Sequence, residues 1–143
     1  MHCAPAASVP CREVTNPLDF GAFLALDPAT RARLLAEGRQ VRFGAGEVIL
    51  REGDAAAEVY AVTAGRLRVT QGDPPVVVAT PAAPILVGDM GVLAGAGRNA
   101  TVTAVTRVRG YRFAAETFRY LAASTPEFAR QLEAFSAIRN GTN

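Results

Sequence analysis

Between Gln40 and Phe113, short runs of β-forming residues are interrupted by glycine, aspartate and proline at intervals of about eight to twelve residues. Stretches such as FGAGE and QGDPP, which separate these runs, have the composition of tight turns. This spacing predicts an antiparallel sandwich or roll of about eight strands. The predicted strands are QVRF, EVIL, EVYAVT, RLRVT, PVVVAT, PILV, ATVTAVT and RVRGYRF.

Helical patterns flank the strand region on both sides. On the N-terminal side, Asp27 is the predicted cap of a short helix, Pro28 its first residue and Gly38 its end. On the C-terminal side, AAETFRYLAAS and PEFARQLEAFSAIRN predict two helices, and the second has an apolar face formed by Phe128, Leu132, Phe135 and Ile138. Residues 1–16 lack periodicity and are predicted to be a flexible arm, so 17–143 form a single domain.

Charge and cysteine usage exclude several classes of function. The net charge is only +2, and the 15 basic residues are all arginines scattered without a basic run, so we expect no nucleic-acid partner. Arginine without lysine, beside abundant alanine, is typical of a bacterial genome with high GC content. Cys3 and Cys11 do not make a disulfide framework, and no apolar stretch is long enough to insert into a membrane, so a cytoplasmic location is expected.

The residue types that catalysis needs do not come together in this sequence. His2 is the only histidine and lies in the predicted arm, so neither a metal site nor a histidine-activated nucleophile can form in the strand region. The carboxylates show no spacing typical of acid–base catalysis. We therefore expect a binding protein that is not an enzyme and has no cofactor or metal.

The glycine-rich stretch VGDMGVLAGAGRNATV, Val87 to Val102, is the candidate binding site. Part of it, from Gly95 to Ala100, fits the dinucleotide pattern G-x-G-x-x-A, but that pattern requires a helix to follow and here a strand follows. A second interpretation fits better. Gly88 and Gly91 let the backbone approach a ligand where a short helix, MGVLAG, begins, and Arg98 supplies a planar guanidinium for phosphate. Asp89, as an acceptor, suits a sugar hydroxyl.

This stretch resembles the phosphate-binding cassette of cyclic-nucleotide-binding domains, whose pattern runs approximately G-E-x-A-L-L, a spacer, then R-x-A-T-V. Here it reads GDMGVL, a four-residue spacer, then RNATV. The upstream pattern F-x-x-G-E-x-I-x-x-E-G-D of the same family is matched by FGAGEVILREGD, Phe43 to Asp54. The resemblance covers about residues 20–138 and implies an eight-stranded, jelly-roll-like β-roll with N-terminal helices and two C-terminal helices.

The resemblance also implies a role for each matched residue. Arg98 would bind the cyclic phosphate, Asp89 the ribose 2′-hydroxyl, and backbone N–H groups around Gly91 and Ala100 the remaining phosphate oxygens. Asn99 lies next to the phosphate, where its amide can donate or crowd the site. The predicted ligand-binding set is Gly88, Asp89, Met90, Gly91, Arg98, Asn99 and Ala100.

Two departures from the family pattern are visible. The family's acid is normally glutamate, and Asp89 is one methylene shorter, which weakens affinity or changes the ligand. Glycines at 91, 95 and 97 bracket the short helix, and a glycine inside a helix costs about 1 kcal/mol relative to alanine. We therefore expect the cassette to become ordered only when ligand binds.

Two hypotheses about function follow. The first is a regulatory module that binds cyclic AMP in preference to cyclic GMP and signals to an effector protein or domain. The second is a degenerate domain that no longer binds nucleotide and acts in protein interaction or dimerisation. No helix-turn-helix pattern follows the last helix. The apolar face of this helix can pack on the roll, cover the base of a bound nucleotide or form a homodimer interface. Packing on the roll is favoured.

Overall fold

The computed structural model describes residues 16–95 and 97–139, except for the side chains of Met90 and of residues 135–139. Eight strands are present at the predicted places. They are β1 (Arg39–Phe43), β2 (Val48–Leu50), β3 (Glu58–Ala64), β4 (Leu67–Gln71), β5 (Val76–Ala79), β6 (Ile85–Val87), β7 (Thr101–Ala104) and β8 (Val108–Ala114).

The strands form two antiparallel sheets of four. The first sheet has the order β1-β8-β3-β6 and the second has the order β2-β7-β4-β5. The two sheets enclose one apolar interior, so the predicted β-roll is confirmed. The roll interior is lined mainly by β-branched and leucine side chains: Ile49, Leu50, Val62, Leu67, Val69, Ile85, Val87, Val102 and Val108.

The two sheets differ in how many of their faces are covered. Along β3 the residues from Val59 to Val62 are all buried, because alternate side chains point into the roll and towards the helices. In β4 only Leu67 and Val69 are buried, because the helices of the described residues pack mainly on the first sheet and leave the outer face of the second sheet to solvent. This difference in coverage explains why the run EVYAVT is largely apolar, whereas apolar and polar residues alternate in the run RLRVT.

Helices cover the outer face of the first sheet. A 3-10 helix (Gly21–Ala25) leads into α1 (Pro28–Glu37); α2 (Asp89–Ala94) follows β6, and α3 (Ala115–Ser124) and α4 (Pro126–Arg139) close the described chain. Asp27 caps α1 by accepting a hydrogen bond from the N–H of Thr30 at 2.7 Å, as predicted. The second core, between helices and sheet, is aromatic and contains Phe23, Phe113, Phe118 and Phe128.

The predictions for the N-terminal arm and the C-terminal helix can be compared with the structure only in part. Residues 1–15 of the predicted arm lie outside the described residues, and they include both cysteines and His2. The last residue of the predicted arm, Asn16, accepts a hydrogen bond from the N–H of Leu18. On α4, Phe128 and Leu132 are fully buried in the aromatic core, so for these two the packing interpretation is confirmed. The side chains of Phe135 and Ile138 lie outside the described residues.

Candidate functional site

The backbone turns sharply where β6 gives way to α2. Gly88 has φ +88°, a left-handed conformation that residues with a Cβ rarely adopt, and α2 begins at the next residue, Asp89. Gly95 ends the helix with φ +67°, and its N–H donates to the carbonyls of Gly91 and Val92. Of the three glycines bracketing the helix, only Gly91 lies inside it, so the predicted cost of glycine in this helix falls on one residue.

Arg98 is buried at the base of this turn, with only 8% of its surface exposed. Nη1 donates to the carbonyl of Gly88 at 2.8 Å, and Nη2 donates to the carbonyl of Glu58 at 2.6 Å. Arg98 is therefore a buried arginine with two main-chain partners. Its side chain joins the start of α2 to β3, although Glu58 is 40 residues away in sequence.

The contact between Arg98 and Gly88 requires glycine at position 88. A Cβ added there would lie 2.8 Å from Nη1 of Arg98 and 3.1 Å from the carbonyl oxygen of Glu58. Both the backbone conformation and the space therefore disfavour other residues, and the guanidinium occupies the room that a side chain would take.

Main-chain hydrogen bonds fix the backbone on both sides of Arg98. Its N–H donates to the carbonyl of Asp54 at 2.8 Å, and its own carbonyl accepts from the N–H of Gly53 at 2.9 Å. An isolated bridge pairs Gly97 with Ala55. The EGD turn of the upstream motif thus holds Arg98 in place, which explains why the two motifs occur together.

Charged and polar groups surround the guanidinium. Burial lowers the pKa of Arg98, and this is opposed by Tyr60 and by the negative charges of Glu58, Asp54 and Asp89. Burial raises the pKa of Tyr60, whose hydroxyl donates to Oε1 of Glu58 at 3.0 Å. Arg98 keeps its positive charge at physiological pH because guanidinium is a very strong base.

The predicted site residues surround one concavity, which is open to solvent and has a cavity volume of about 50 Å³. Its cassette lining is Gly88, Asp89, Gly91, Arg98, Asn99 and Ala100. Met90 contributes backbone to α2, and its side chain lies outside the described residues. The opposite wall is apolar and consists of Leu50, Val69, Pro81, Ile85, Val87 and Val102.

Two of these residues differ greatly in exposure. Asp89 is 1% exposed and borders the cavity from within α2, where its negative charge attracts Arg98. Asn99 is exposed at the rim, and its carbonyl accepts a hydrogen bond from Nε2 of Gln71 at 2.9 Å. The acid that the sequence analysis assigned to a sugar hydroxyl is therefore one of the most deeply buried polar side chains described.

The cassette helix also contacts the C-terminal helices. Val92 is fully buried in the aromatic core, and its carbonyl accepts a hydrogen bond from Nε of Arg119 in α3 at 3.2 Å. Sequence reasoning identified neither Arg119 nor Glu58 as part of the site. Glu58 contributes its main-chain oxygen to Arg98, and a main-chain contact cannot be predicted from the pattern of side chains. Arg119 lies in a run whose pattern predicts a helix and indicates no binding role.

The part of the chain that the structure describes shows no group of histidine, cysteine, aspartate or glutamate residues arranged to hold a metal ion. Among its helices, none combines the length and apolar character that crossing a membrane requires.

Comparisons with known proteins agree with this geometry. The family model described as cyclic nucleotide-binding domain matches residues 40–125, more than half of the chain. A cyclic nucleotide-gated potassium channel of Rhizobium etli is 33% identical over 97 residues, which are 68% of this chain and 26% of the channel. The chain thus spans about a quarter of that relative's length.

Solved structures share the fold. The catabolite activator protein of Thermus thermophilus superposes with a TM-score of 0.70 at 25% identity, covering 82% of this chain and 57% of that protein. The N-terminal domain of a transcriptional regulator from Streptomyces coelicolor A3(2) superposes with a TM-score of 0.65 at 28% identity, covering 87% and 88%. With the family model and the cassette geometry, these likenesses show that the chain belongs to the cyclic nucleotide-binding domain family.

Proposed function

We propose that this chain is a regulatory module that binds cyclic AMP, in preference to cyclic GMP, through Gly88–Ala100 and has no catalytic activity of its own. The observation that carries the proposal is the buried guanidinium of Arg98 beside the cavity. Its contacts with Gly88 and Glu58 involve two of its five N–H donors, and a phosphate in the cavity would be bound through further donors of the same guanidinium. A guanidinium already desolvated and fixed in position binds phosphate with little further loss of entropy.

The remaining cassette residues complete the proposed site. The backbone N–H groups at Gly91 and Ala100 are the expected donors to the other phosphate oxygens, and Met90 and Asn99 flank them. Asp89 is the expected acceptor for the ribose 2′-hydroxyl. Because Asp89 is 1% exposed, the ligand has to reach it through an opened cassette.

The size of the cavity supports an opening step. About 50 Å³ is far below the roughly 300 Å³ of even small ligand pockets, so the cassette has to move outward when a nucleotide enters. The proposed movement involves α2, which is short, contains Gly91 and is flanked by Gly88 and Gly95. We expect amide exchange in residues 88–97 to change on saturation with ligand.

The preference for cyclic AMP is based on the apolar wall. Leu50, Ile85 and Val102 are representative of its side chains, none of which offers a hydrogen bond to a base. Guanine has one more exocyclic polar group than adenine, and burying it without a partner costs free energy. A base lying against this wall is therefore expected to be adenine.

The path for a signal runs through α2. Val92 packs into the aromatic core and Arg119 donates to the carbonyl of Val92, so a shift of α2 changes how α3 packs. We propose that an effector protein or domain senses this change. A cytoplasmic location, and a homodimer through α4, remain predictions.

Calorimetric titration with cyclic AMP and cyclic GMP tests the binding proposal. We expect saturable binding of cyclic AMP and weaker binding of cyclic GMP. Arg98→Gln should weaken the affinity for cyclic AMP by about 1.5–3 kcal/mol, because a charged hydrogen-bond donor is lost. Arg51→Gln, which removes an exposed arginine from the neighbouring loop, is the matched control and should bind as wild type. Absence of heat at millimolar ligand would favour the degenerate domain instead.

The role of Asp89 is tested by changing ligand and protein together. Removing the ribose hydroxyl, with 2′-deoxy cyclic AMP, should weaken binding to the wild type. In Asp89→Asn the same ligand change should have a smaller effect, because the charged acceptor is already lost. Equal losses in both proteins would show that Asp89 does not contact the hydroxyl.

A further inference from the structure

A second basic site lies on the outer face of the first sheet, on the strands β1 and β8. Arg42 and Arg109 are directly opposite each other in the antiparallel register of these strands, so their side chains leave the sheet on the same face. Both are exposed. The cassette and its cavity involve neither residue.

Two like charges in direct cross-strand register are unfavourable. Opposed side chains have Cβ atoms about 5 Å apart, and like charges at this distance destabilise a sheet. Among residues 16–95 and 97–139, the ion pairs involve Arg31, Arg112 and Arg130, and neither Arg42 nor Arg109 takes part in one. The repulsion between the two guanidinium groups is therefore not compensated by a carboxylate within the described chain.

The sheet itself is poor in acidic residues. The strands β1, β3, β6 and β8 contain one carboxylate, Glu58, which pairs with Arg112 at 3.3 Å. Glu58 and Arg112 lie towards the other end of the β3–β8 ladder from Arg109. The face that carries Arg42 and Arg109 is thus positively charged without a nearby acid on its own strands.

The two arginines border a groove with a cavity volume of about 250 Å³. Gln40, Thr63 and Tyr111 line it with them, and its described lining contains no carboxylate and no histidine. The β3–β8 register shifts between Val62 and Ala64, and the hydroxyl of Thr63, between them, donates to the carbonyl of Arg109 at 3.2 Å.

We propose that this groove binds a phosphate monoester, held by Arg42 and Arg109 together. Each planar guanidinium fork can donate two N–H groups, and two forks on neighbouring strands that line one groove can bind the oxygens of one phosphoryl group. A phosphate monoester carries close to two negative charges at pH 7 and so compensates both arginines, whereas a carboxylate compensates one. Gln40 and Tyr111 contact the group to which the phosphate is attached.

The charge of the ligand gives the site a characteristic pH dependence. The second pKa of a phosphate monoester is about 6, so the dianion is lost as the pH falls through that value. Both arginines stay charged throughout, so affinity should fall between about pH 7 and 5 with the pKa of the ligand. A cyclic phosphodiester has one charge at all these values and would show no such change.

The probe is glycerol 3-phosphate, titrated by calorimetry at pH 7.5 and pH 5, with vesicles containing phosphatidic acid as a second arm. We expect saturable binding, weakened by about tenfold or more in Arg42→Gln/Arg109→Gln. The double variant Arg33→Gln/Arg51→Gln, with the same change of net charge at exposed positions, should bind as wild type. Arg98→Gln should also bind as wild type, which separates this site from the cassette. Preference for the soluble probe or for vesicles identifies the source of the phosphate.

Stability without ligand provides a second readout. Removing the repulsion by Arg42→Gln should raise the thermal midpoint in phosphate-free, low-salt buffer by about 1–3 °C. A lower midpoint would show that Arg42 is merely structural and would contradict the proposal. So would failure of both phosphate probes to bind, or equal binding to the double variant lacking Arg42 and Arg109.

Discussion

The two apolar cores of this domain are built on different principles. The roll interior consists largely of β-branched side chains, such as Val62 and Val69, on strands that are joined by continuous backbone ladders. The aromatic core joins a 3-10 helix, β8, α3 and α4 through ring contacts with centroids 5.7–6.2 Å apart. Helices held by side-chain packing can shift as units, whereas strands in a ladder cannot. The cassette contributes to both cores, with Val87 in the first and Val92 in the second.

The largest expected effect comes from Phe118→Ala, which removes a fully buried ring at the centre of the aromatic core. We expect a loss of about 3–5 kcal/mol in the free energy of unfolding. Hydrogen exchange should increase first in α2, α3 and α4. Leu67→Ala is the counterpart in the roll interior and should raise exchange in both sheets. If both variants gave the same exchange pattern, the two cores would be one cooperative unit.

The next largest effect is expected at the junction of the two cores. Gly88→Ala combines an unfavourable φ with a clash against Arg98, and should lower the free energy of unfolding by about 1–3 kcal/mol and weaken nucleotide binding. Gly95→Ala has a similar backbone conformation, with φ +67°, but nothing within 4 Å of the added Cβ. Chemical denaturation and calorimetry on both variants separate backbone strain from displacement of Arg98. Equal loss of binding would exclude the displacement.

A smaller effect is expected where the cassette meets α3. Arg119→Gln removes a hydrogen bond to the carbonyl of Val92 and should cost about 0.5–1.5 kcal/mol of stability. If α2 signals through α3, the ligand-induced change in exchange of α3 should also shrink. Arg33→Gln, at an exposed position on α1, is the control for loss of charge. An unchanged response of α3 would show that the packing of Val92 alone transmits the movement.

The smallest effect is confined to alkaline pH and to the roll. Burial and the neighbouring Glu58 raise the pKa of Tyr60 above its ordinary value of 10.0. The stabilisation that comes from the neutral phenol is therefore fully present below about pH 10 and is lost as the pH rises through the folded-state pKa. Tyr60→Phe should flatten the fall of the thermal midpoint above about pH 10, where the phenol ionises in the unfolded chain before it does so in the folded protein. Tyr120→Phe, at a site 71% exposed, should leave that fall unchanged.

The sequence predicted the roll well because its strands obey local rules. Each run of β-formers is bounded by turn residues, and the helix after Asp27 begins with a cap and a proline. The local sequence was therefore enough to locate these strands and this helix. The aromatic core was harder to foresee, because Phe23, Phe118 and Phe128 meet only after the helices have packed. Local patterns assign them to helix faces without saying which faces meet.

The candidate site was also predictable where it depends on local sequence, and was not predictable where it depends on packing between distant segments. The cassette residues lie close together in sequence. In the structure, one cavity is lined by Gly88, Asp89, Gly91, Arg98, Asn99 and Ala100. The burial of Arg98 was not predicted, because it depends on the carbonyl of Glu58, 40 residues away. The depth of Asp89 also depends on how α2 packs under the roll, which a motif cannot specify.

The contact between Arg98 and Glu58 has a consequence for how this protein can diverge. Position 58 provides the site with a main-chain oxygen, which any residue would supply, whereas any residue other than glycine at position 88 is strained and meets Arg98. Related chains that vary at the first position keep this main-chain contact, although they lose the ion pair of Glu58 with Arg112 and its hydrogen bond with Tyr60. What they have to inherit is the alignment of β3 with its neighbours, so insertions and deletions before Tyr60 would be more damaging than most substitutions at Glu58.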